Sequence, residues 1–254
     1  MNPVVEPIRR PAAVASLYAD SAVSVDVLSS IAFPQARPKA VRIGNTEQPR
    51  RILNVAVAAI GLVLCLPLLL AIAILIMLTS KGPILYTQTR VGLDRRNRFS
   101  VDGRRRVDYG GKLFTIYKFR TMRVNADRDG EVWASPDDPR VTPLGRVLRK
   151  YRLDELPQLF NVLKGDMNLV GPRPEQPKIF TTLRDRIDRY SERQRVLPGI
   201  TGLAQVSQHY DCSIDDVRQK VLFDLHYISH RSVRQDVKVM LKTIPVVVFK
   251  RGAW

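Results

Sequence analysis

A chain of 254 residues with 45% hydrophobic content is long enough for one catalytic domain plus an anchor, and too apolar to be disordered throughout. Its formal charge of +17 calls for an anionic partner, whether nucleic acid, anionic lipid or a phosphorylated substrate, without choosing among them. Of its two cysteines, Cys65 lies in an apolar run and Cys212 far away in a polar stretch, which suggests neither a disulfide framework nor a zinc site and fits a reducing compartment.

Residues 1–49 carry the scattered prolines Pro3, Pro7, Pro11, Pro34, Pro38 and Pro49 and no long apolar block, so no signal peptide is expected and the segment reads as disordered. A membrane helix is expected over 50–80. No charge interrupts Ile52 to Leu78, and as a straight helix that run would reach about 40 Å, against a hydrocarbon core of roughly 30 Å. Pro67 near its middle favours a kink, and Asn54 and Gly61 add irregularity. Arg50 and Arg51 precede the run, while Lys81, Arg90, Arg95, Arg96 and Arg98 follow it. Cations at both ends give no direction across the bilayer, as expected of a re-entrant segment that enters and leaves on one side. A spanning helix and a buried soluble helix are the alternatives.

From 81 to 254 the composition is that of a polar, basic domain. Lys81-Gly82-Pro83 marks an exit turn, and Ile84-Leu85-Tyr86 a short strand. The basic stretch from Arg95 to Asp108 reads as a loop, attracted to anionic headgroups at ~1 kcal/mol per cation or merely solvated. Lys112 to Arg120 alternates with period two, which predicts a strand placing Lys118 and Arg120 on one face as a phosphate clamp. Thr142-Pro143 opens a helix with Leu144, Val147, Leu148 and Tyr151 on its apolar face.

That helix leads into adjacent carboxylates, Asp154 and Glu155. Pro157 suits a helix's first turn, so Asp154 is expected near an N-cap, where unpaired amides and the dipole would keep it ionised and fit to act as a nucleophile. The plainer expectation is that Asp154 only caps the helix and Glu155 is solvated. After Gly165, the stretch Asp166 to Pro174 reads as a stiff, proline-bracketed loop holding Arg173 for bidentate phosphate recognition or as an ordinary turn. A helix is expected over 176–195, then glycine-permitted turns at Pro198-Gly199-Ile200-Thr201-Gly202, then helices over 214–230 and 233–249. The last carries an apolar stripe that either packs on the core or lies in a membrane interface. His226 and His230, four residues apart, are a weak metal signal.

Five runs, Lys118-Phe119-Arg120-Thr121-Met122, Leu153-Asp154-Glu155-Leu156-Pro157-Gln158-Leu159, Asn161-Val162-Leu163-Lys164-Gly165-Asp166-Met167, Gly171-Pro172-Arg173-Pro174 and Pro198-Gly199-Ile200-Thr201-Gly202, closely resemble the bacterial sugar transferases, the monotopic polyprenyl-phosphate phosphoglycosyl transferases. The resemblance covers roughly Arg50 to Phe249 and looks like the short, exopolysaccharide-initiating form. It implies an α+β, mostly helical fold: a re-entrant membrane helix with a compact cytoplasmic catalytic domain and a small sheet, at the bacterial inner membrane. It implies transfer of a hexose 1-phosphate, glucose or galactose, from a UDP-sugar to undecaprenyl phosphate with release of UMP. In that scheme Asp154 is the nucleophile, Glu155 helps hold Mg²⁺, and Lys118, Arg120 and Arg173 contact phosphate. The implied partners are the UDP-sugar, undecaprenyl phosphate and inner-membrane lipids, with no nucleic acid; a homo-oligomer is admitted. Leu66 stands before Pro67 where some members have serine, a departure at the helix break. The competing readings are a non-catalytic membrane adaptor of glycan assembly, a membrane-anchored nucleic-acid binder without a recognisable binding motif, and a glycosidase. Adjacent carboxylates are poorly placed for the last, since a scissile bond must be flanked from opposite sides.

Overall fold

The computed structural model describes residues 47–94, 109–124, 126, 138–208 and 213–248; the segment 1–46 and the basic loop 95–108 lie outside them. The elements in chain order are α1 (Glu47–Thr79), β1 (Leu85–Val91), β2 (Leu113–Phe119), α2 (Pro143–Lys150), a 3₁₀ turn (Leu153–Glu155), α3 (Gln158–Lys164), β3 (Asn168–Val170), α4 (Pro177–Arg186), a second 3₁₀ segment (Tyr190–Arg195), β4 (Gly199–Thr201), α5 (Leu203–Ser207), α6 (Ile214–His230) and α7 (Val233–Val248). Described as a whole, this is a mostly helical α+β domain with a small sheet and one long apolar helix.

The apolar run forms α1, which is long and apolar enough to cross a membrane. It begins three residues before the expected boundary at 50, and its helical assignment continues through Pro67. A proline removes one rung of the ladder, and the valine and leucine turns on either side keep theirs. Its buried residues, Arg50, Asn54, Ala58, Ile72 and Ile76, recur at helical spacing and face the domain, whereas Val63, Leu64, Leu70 and Leu78 are exposed.

Both ends of α1 touch the same domain. At its start the Arg50 guanidinium donates to Asp236 of α7 (2.8 Å) and to the Tyr227 hydroxyl of α6 (2.7 Å), and Arg51 donates to the Val162 and Leu163 carbonyls that end α3. Asn54 does not loosen the helix as its residue type suggests. Its amide bonds the Arg50 carbonyl, and its oxygen accepts from the Leu169 amide of β3 (2.6 Å), so its polarity is used for docking. Toward the other end Ile72 and Ile76 pack with Phe119 of β2 and Leu148 of α2. Arg50 is 2% exposed, and truncating one partner strands the other as a buried charge. Arg50→Ala should therefore cost about 3–5 kcal/mol, read as a fall in melting temperature of the detergent-solubilised protein.

β1 and β2 pair antiparallel, with Tyr86 opposite Lys118 and Val91 opposite Leu113. β1 is more than twice the length expected, because the polar stretch Thr87 to Arg90 hides a strand whose alternate residues turn inward. The stiff loop after Gly165 contains β3, parallel to β4 in register Asn168 with Gly199. Three residues are too few to display periodicity. The close approach allowed by glycine there is of backbone to backbone: a Cβ on Gly199 would lie 2.1 Å from the Gly171 nitrogen.

The helix expected over 176–195 is broken after Arg186. Ile187 is extended and Arg189 is left-handed (φ 60°), turning Tyr190 onto Phe180 with ring centroids 5.5 Å apart. α6 matches its expected span. α7 buries Asp236 and Val239 but exposes Val237, Leu241, Ile244 and Val248, so its stripe is only partly absorbed by the core.

Candidate active site

Two devices place the carboxylate pair. Thr142 caps α2 by accepting from the Gly145 amide, and two residues past the end of α2 at Lys150 the left-handed backbone of Arg152 (φ 54°) swings the chain into the 3₁₀ turn that carries Asp154 and Glu155. A non-glycine residue in that region is uncommon, and here it stands two positions before the proposed nucleophile. Next, α3 is fixed on the sheet by the fully buried Asn161, whose oxygen accepts from the Tyr117 amide (3.1 Å) and whose amide donates to the Thr115 carbonyl (2.7 Å). This register sets Lys118 of β2 opposite the 3₁₀ turn.

Asp154 and Glu155 are both buried, at 8% and 7% exposure, and their surroundings differ. Glu155 Oε1 accepts from Lys118 Nζ (2.9 Å) and Arg173 Nη2 (2.6 Å), and Oε2 accepts from Arg173 Nη1 (3.3 Å). Burial works against its charge, but the two cations hold its pKa well below the usual carboxylate range. Asp154 receives no hydrogen bond from a described residue. Burial raises its pKa and the ionised Glu155 adds to the rise, while Lys118, Arg149 and Arg173 oppose it. The expectation that Asp154 sits at a helix N-cap is corrected. Asp154 precedes α3 rather than capping it, and the second and third amides of α3, Leu159 and Phe160, are taken by the Leu156 and Pro157 carbonyls. Nor is Glu155 solvated.

Of the five expected site residues the structure gathers four: Asp154, Glu155, Lys118 and Arg173. Arg120 is directed elsewhere. It follows the end of β2, and its Nη2 donates to the Ser80 carbonyl (2.8 Å) and hydroxyl (2.7 Å), bracing the exit from α1. Arg149, anchored by Nε on the Thr121 hydroxyl, joins the field around Asp154 and was not singled out by sequence, where it is one of several cations on an amphipathic helix. Beside Glu155 opens a mostly apolar cleft of about 240 Å³, with Leu156 and Leu159 on one side and Ile200, Val206 and Val246 on the other.

Among the described residues no group of three or more His, Cys, Asp or Glu could hold a metal, and His226 and His230 merely stack, 4.4 Å apart. Two adjacent carboxylates are nevertheless hard oxygen donors of the kind that bind Mg²⁺ together with substrate phosphates and water. In this structure the Glu155 member of the pair is engaged by Lys118 and Arg173.

The structure thus sets a buried carboxylate pair, one member held by two cations, on a mostly helical domain with one long apolar helix. The chain belongs to the bacterial sugar transferase family, whose model matches residues 46–250. It is 42% identical over 204 residues to the UDP-N-acetylgalactosamine-undecaprenyl-phosphate N-acetylgalactosaminephosphotransferase of Aeromonas hydrophila, covering 80% of this chain and 44% of that protein. It is 40% identical over 207 residues to the UDP-glucose:undecaprenyl-phosphate glucose-1-phosphate transferase of Caulobacter vibrioides, covering 81% and 72%. With the exopolysaccharide production protein ExoY of Sinorhizobium fredii it shares 35% identity over 224 residues, covering 81% and 88%. The chain thus spans less than half of the Aeromonas relative.

Proposed function

We propose that this protein transfers a hexose 1-phosphate, glucose or galactose, from a UDP-sugar to undecaprenyl phosphate as the first membrane step of exopolysaccharide or capsule assembly. The observation that carries the reading is the unequal pair: Glu155 is occupied by Lys118 and Arg173, while Asp154 lies beside it with no hydrogen-bond donor among the described residues. The names of the relatives support the reaction class.

The chemistry runs in two displacements. An Asp154 carboxylate oxygen attacks the β-phosphorus of the UDP-sugar, the bond from that phosphorus to the bridging oxygen breaks, and UMP leaves with the electron pair. A phosphate oxygen of undecaprenyl phosphate then attacks the same phosphorus, and the Asp154–phosphorus bond breaks to return the carboxylate. Lys118 and Arg173 transfer from Glu155 to the diphosphate oxygens as substrate arrives and offset charge on the equatorial oxygens. Mg²⁺, held by Glu155 with Asp154, would supply neutralisation of the diphosphate and of the leaving UMP. Arg120 serves as a brace on this reading rather than a phosphate contact.

The lipid acceptor and the anchor fit one picture, a monotopic enzyme on the cytoplasmic face of the inner membrane. A helix docked at both ends on one domain is what a re-entrant segment requires, and α7 adds exposed Leu241, Ile244 and Val248 flanked by Lys238 and Lys242. The apolar cleft beside Glu155 reaches α7 through Val246, a route for an isoprenoid chain.

UMP release from a panel of UDP-sugars, including UDP-glucose, UDP-galactose and UDP-N-acetylgalactosamine, with Mg²⁺ and undecaprenyl phosphate, tests the reading. Lipid-dependent release from a plain hexose donor is expected. Release only from an N-acetylated donor would correct the sugar, and none from any donor would favour the adaptor.

A further inference from the structure

Four successive carbonyls of the loop that carries Arg173 are taken by donors from three parts of the fold: β4, the second 3₁₀ segment and, twice, β1. Pro172 O accepts from the Gly199 amide (3.0 Å), Arg173 O from Arg193 Nη2 (3.0 Å), Pro174 O from Arg90 Nη1 (3.0 Å) and Glu175 O from the Val91 amide (2.9 Å). The two prolines have no amide to lose and fixed φ, so the strap leaves the backbone little freedom. Arg193 has a fully buried side chain and is itself held by Asp224 (2.7 Å) and the Tyr190 hydroxyl (2.9 Å). Glu175 closes the frame with Lys220 (3.0 Å) and Arg193 (3.6 Å); burial opposes its charge, yet those cations pull its pKa down to about 2. A buried ion network of this extent is a poor source of net stability, and so calls for another reason to exist. It meets the carboxylate pair through the Arg173 side chain on Glu155.

We infer that Arg193 and Arg90 are positioning residues for Arg173, fixing the loop so that its guanidinium meets Glu155 and, by exchange, the substrate's phosphate. The inference rests on the phosphate role given to Arg173 above. A guanidinium fork gains from being held in place, because its two parallel bonds tolerate little misalignment.

The test is a double-mutant cycle on the full-length protein in lipid nanodiscs, with kcat and KM for the UDP-sugar measured in wild type, Arg90→Met, Arg173→Lys and the double variant. Arg173→Lys keeps the charge and so keeps turnover measurable. Arg90→Met is expected to raise KM about tenfold in the wild-type background and less than about twofold in Arg173→Lys, because it acts through that side chain. Arg193→Lys, which retains a cation for Asp224, is expected to show the same dependence; should it not fold, the Arg90 cycle decides alone. An unchanged KM in Arg90→Met, or an equal loss in both backgrounds, overturns the inference. A wild type that releases no UMP sinks the proposed function and the inference with it, an outcome distinct from an active enzyme whose losses simply multiply.

Discussion

Asp154→Asn should abolish turnover, by about 10⁴-fold or more, and at the same time raise the melting temperature of the substrate-free protein. The loss follows because the amide cannot form the bond to phosphorus. With a donor labelled in its β-phosphate, wild type without lipid acceptor should retain label on the chain, and Asp154→Asn should retain none. The gain in stability follows from linkage. A carboxyl whose folded pKa is raised holds its proton more tightly folded than unfolded. Stability therefore falls as pH rises from the unfolded value of about 3.9 through the folded value, and above that value the whole cost is present. Asparagine removes the charge that burial and Glu155 both oppose, and each kcal/mol recovered is worth about 2–4 °C in a protein of this size. Glu155→Gln has the opposite sign. Glu155 has a depressed pKa, so its contribution is present above the unfolded value of about 4.3 and lost only as pH falls through the folded one. Losing it strands Lys118 and Arg173 as facing cations, which lowers the melting temperature. A variant Asp154→Asn that melts lower than wild type would contradict the unequal pair.

The parts of the fold legible in sequence were those whose signal is local. The uncharged run became α1, Thr142-Pro143 capped α2, and α6 ran between its expected ends. What was not legible depends on partners distant in the chain. Asn54 looked like a flaw in an apolar helix, and its purpose shows only when Leu169 is beside it. Arg193 lies in Ser191-Glu192-Arg193-Gln194-Arg195, which has the composition of a solvated surface, yet it is fully buried because Asp224 and Tyr190 face it. Within the site, the motif runs pointed to Asp154, Glu155, Lys118 and Arg173. Strand parity placed Arg120 with Lys118, but parity holds only while the strand lasts, and β2 ends at Phe119. Residue types also gave no warning that the surroundings of Asp154 and Glu155, adjacent and chemically alike, push their pKa values in opposite directions.

That opposition yields the second large effect, on the pH profile. The profile of kcat/KM reports the free enzyme, so its acid limb should follow Asp154 and lie above the ordinary aspartate range of about 4. The groups facing Asp154 predict how the limb moves. Lys118 is half-buried, 2.9 Å from Glu155, and its charge lowers the pKa of Asp154; Lys118→Met should therefore displace the limb to higher pH as well as weaken donor binding. Glu155 raises the pKa of Asp154, so Glu155→Gln should displace the limb to lower pH in whatever activity remains. Burial also pushes the Lys118 ammonium down, so a basic limb should appear below the ordinary lysine range and vanish in Lys118→Met. Measuring kcat/KM for the UDP-sugar across pH in the three proteins reads all of these at once. Opposite displacements of the acid limb assign it to Asp154 between two unlike neighbours. A limb that stays in place in both variants belongs to some other group, such as the lipid phosphate or the donor itself, and Asp154 would then enter the reaction already ionised.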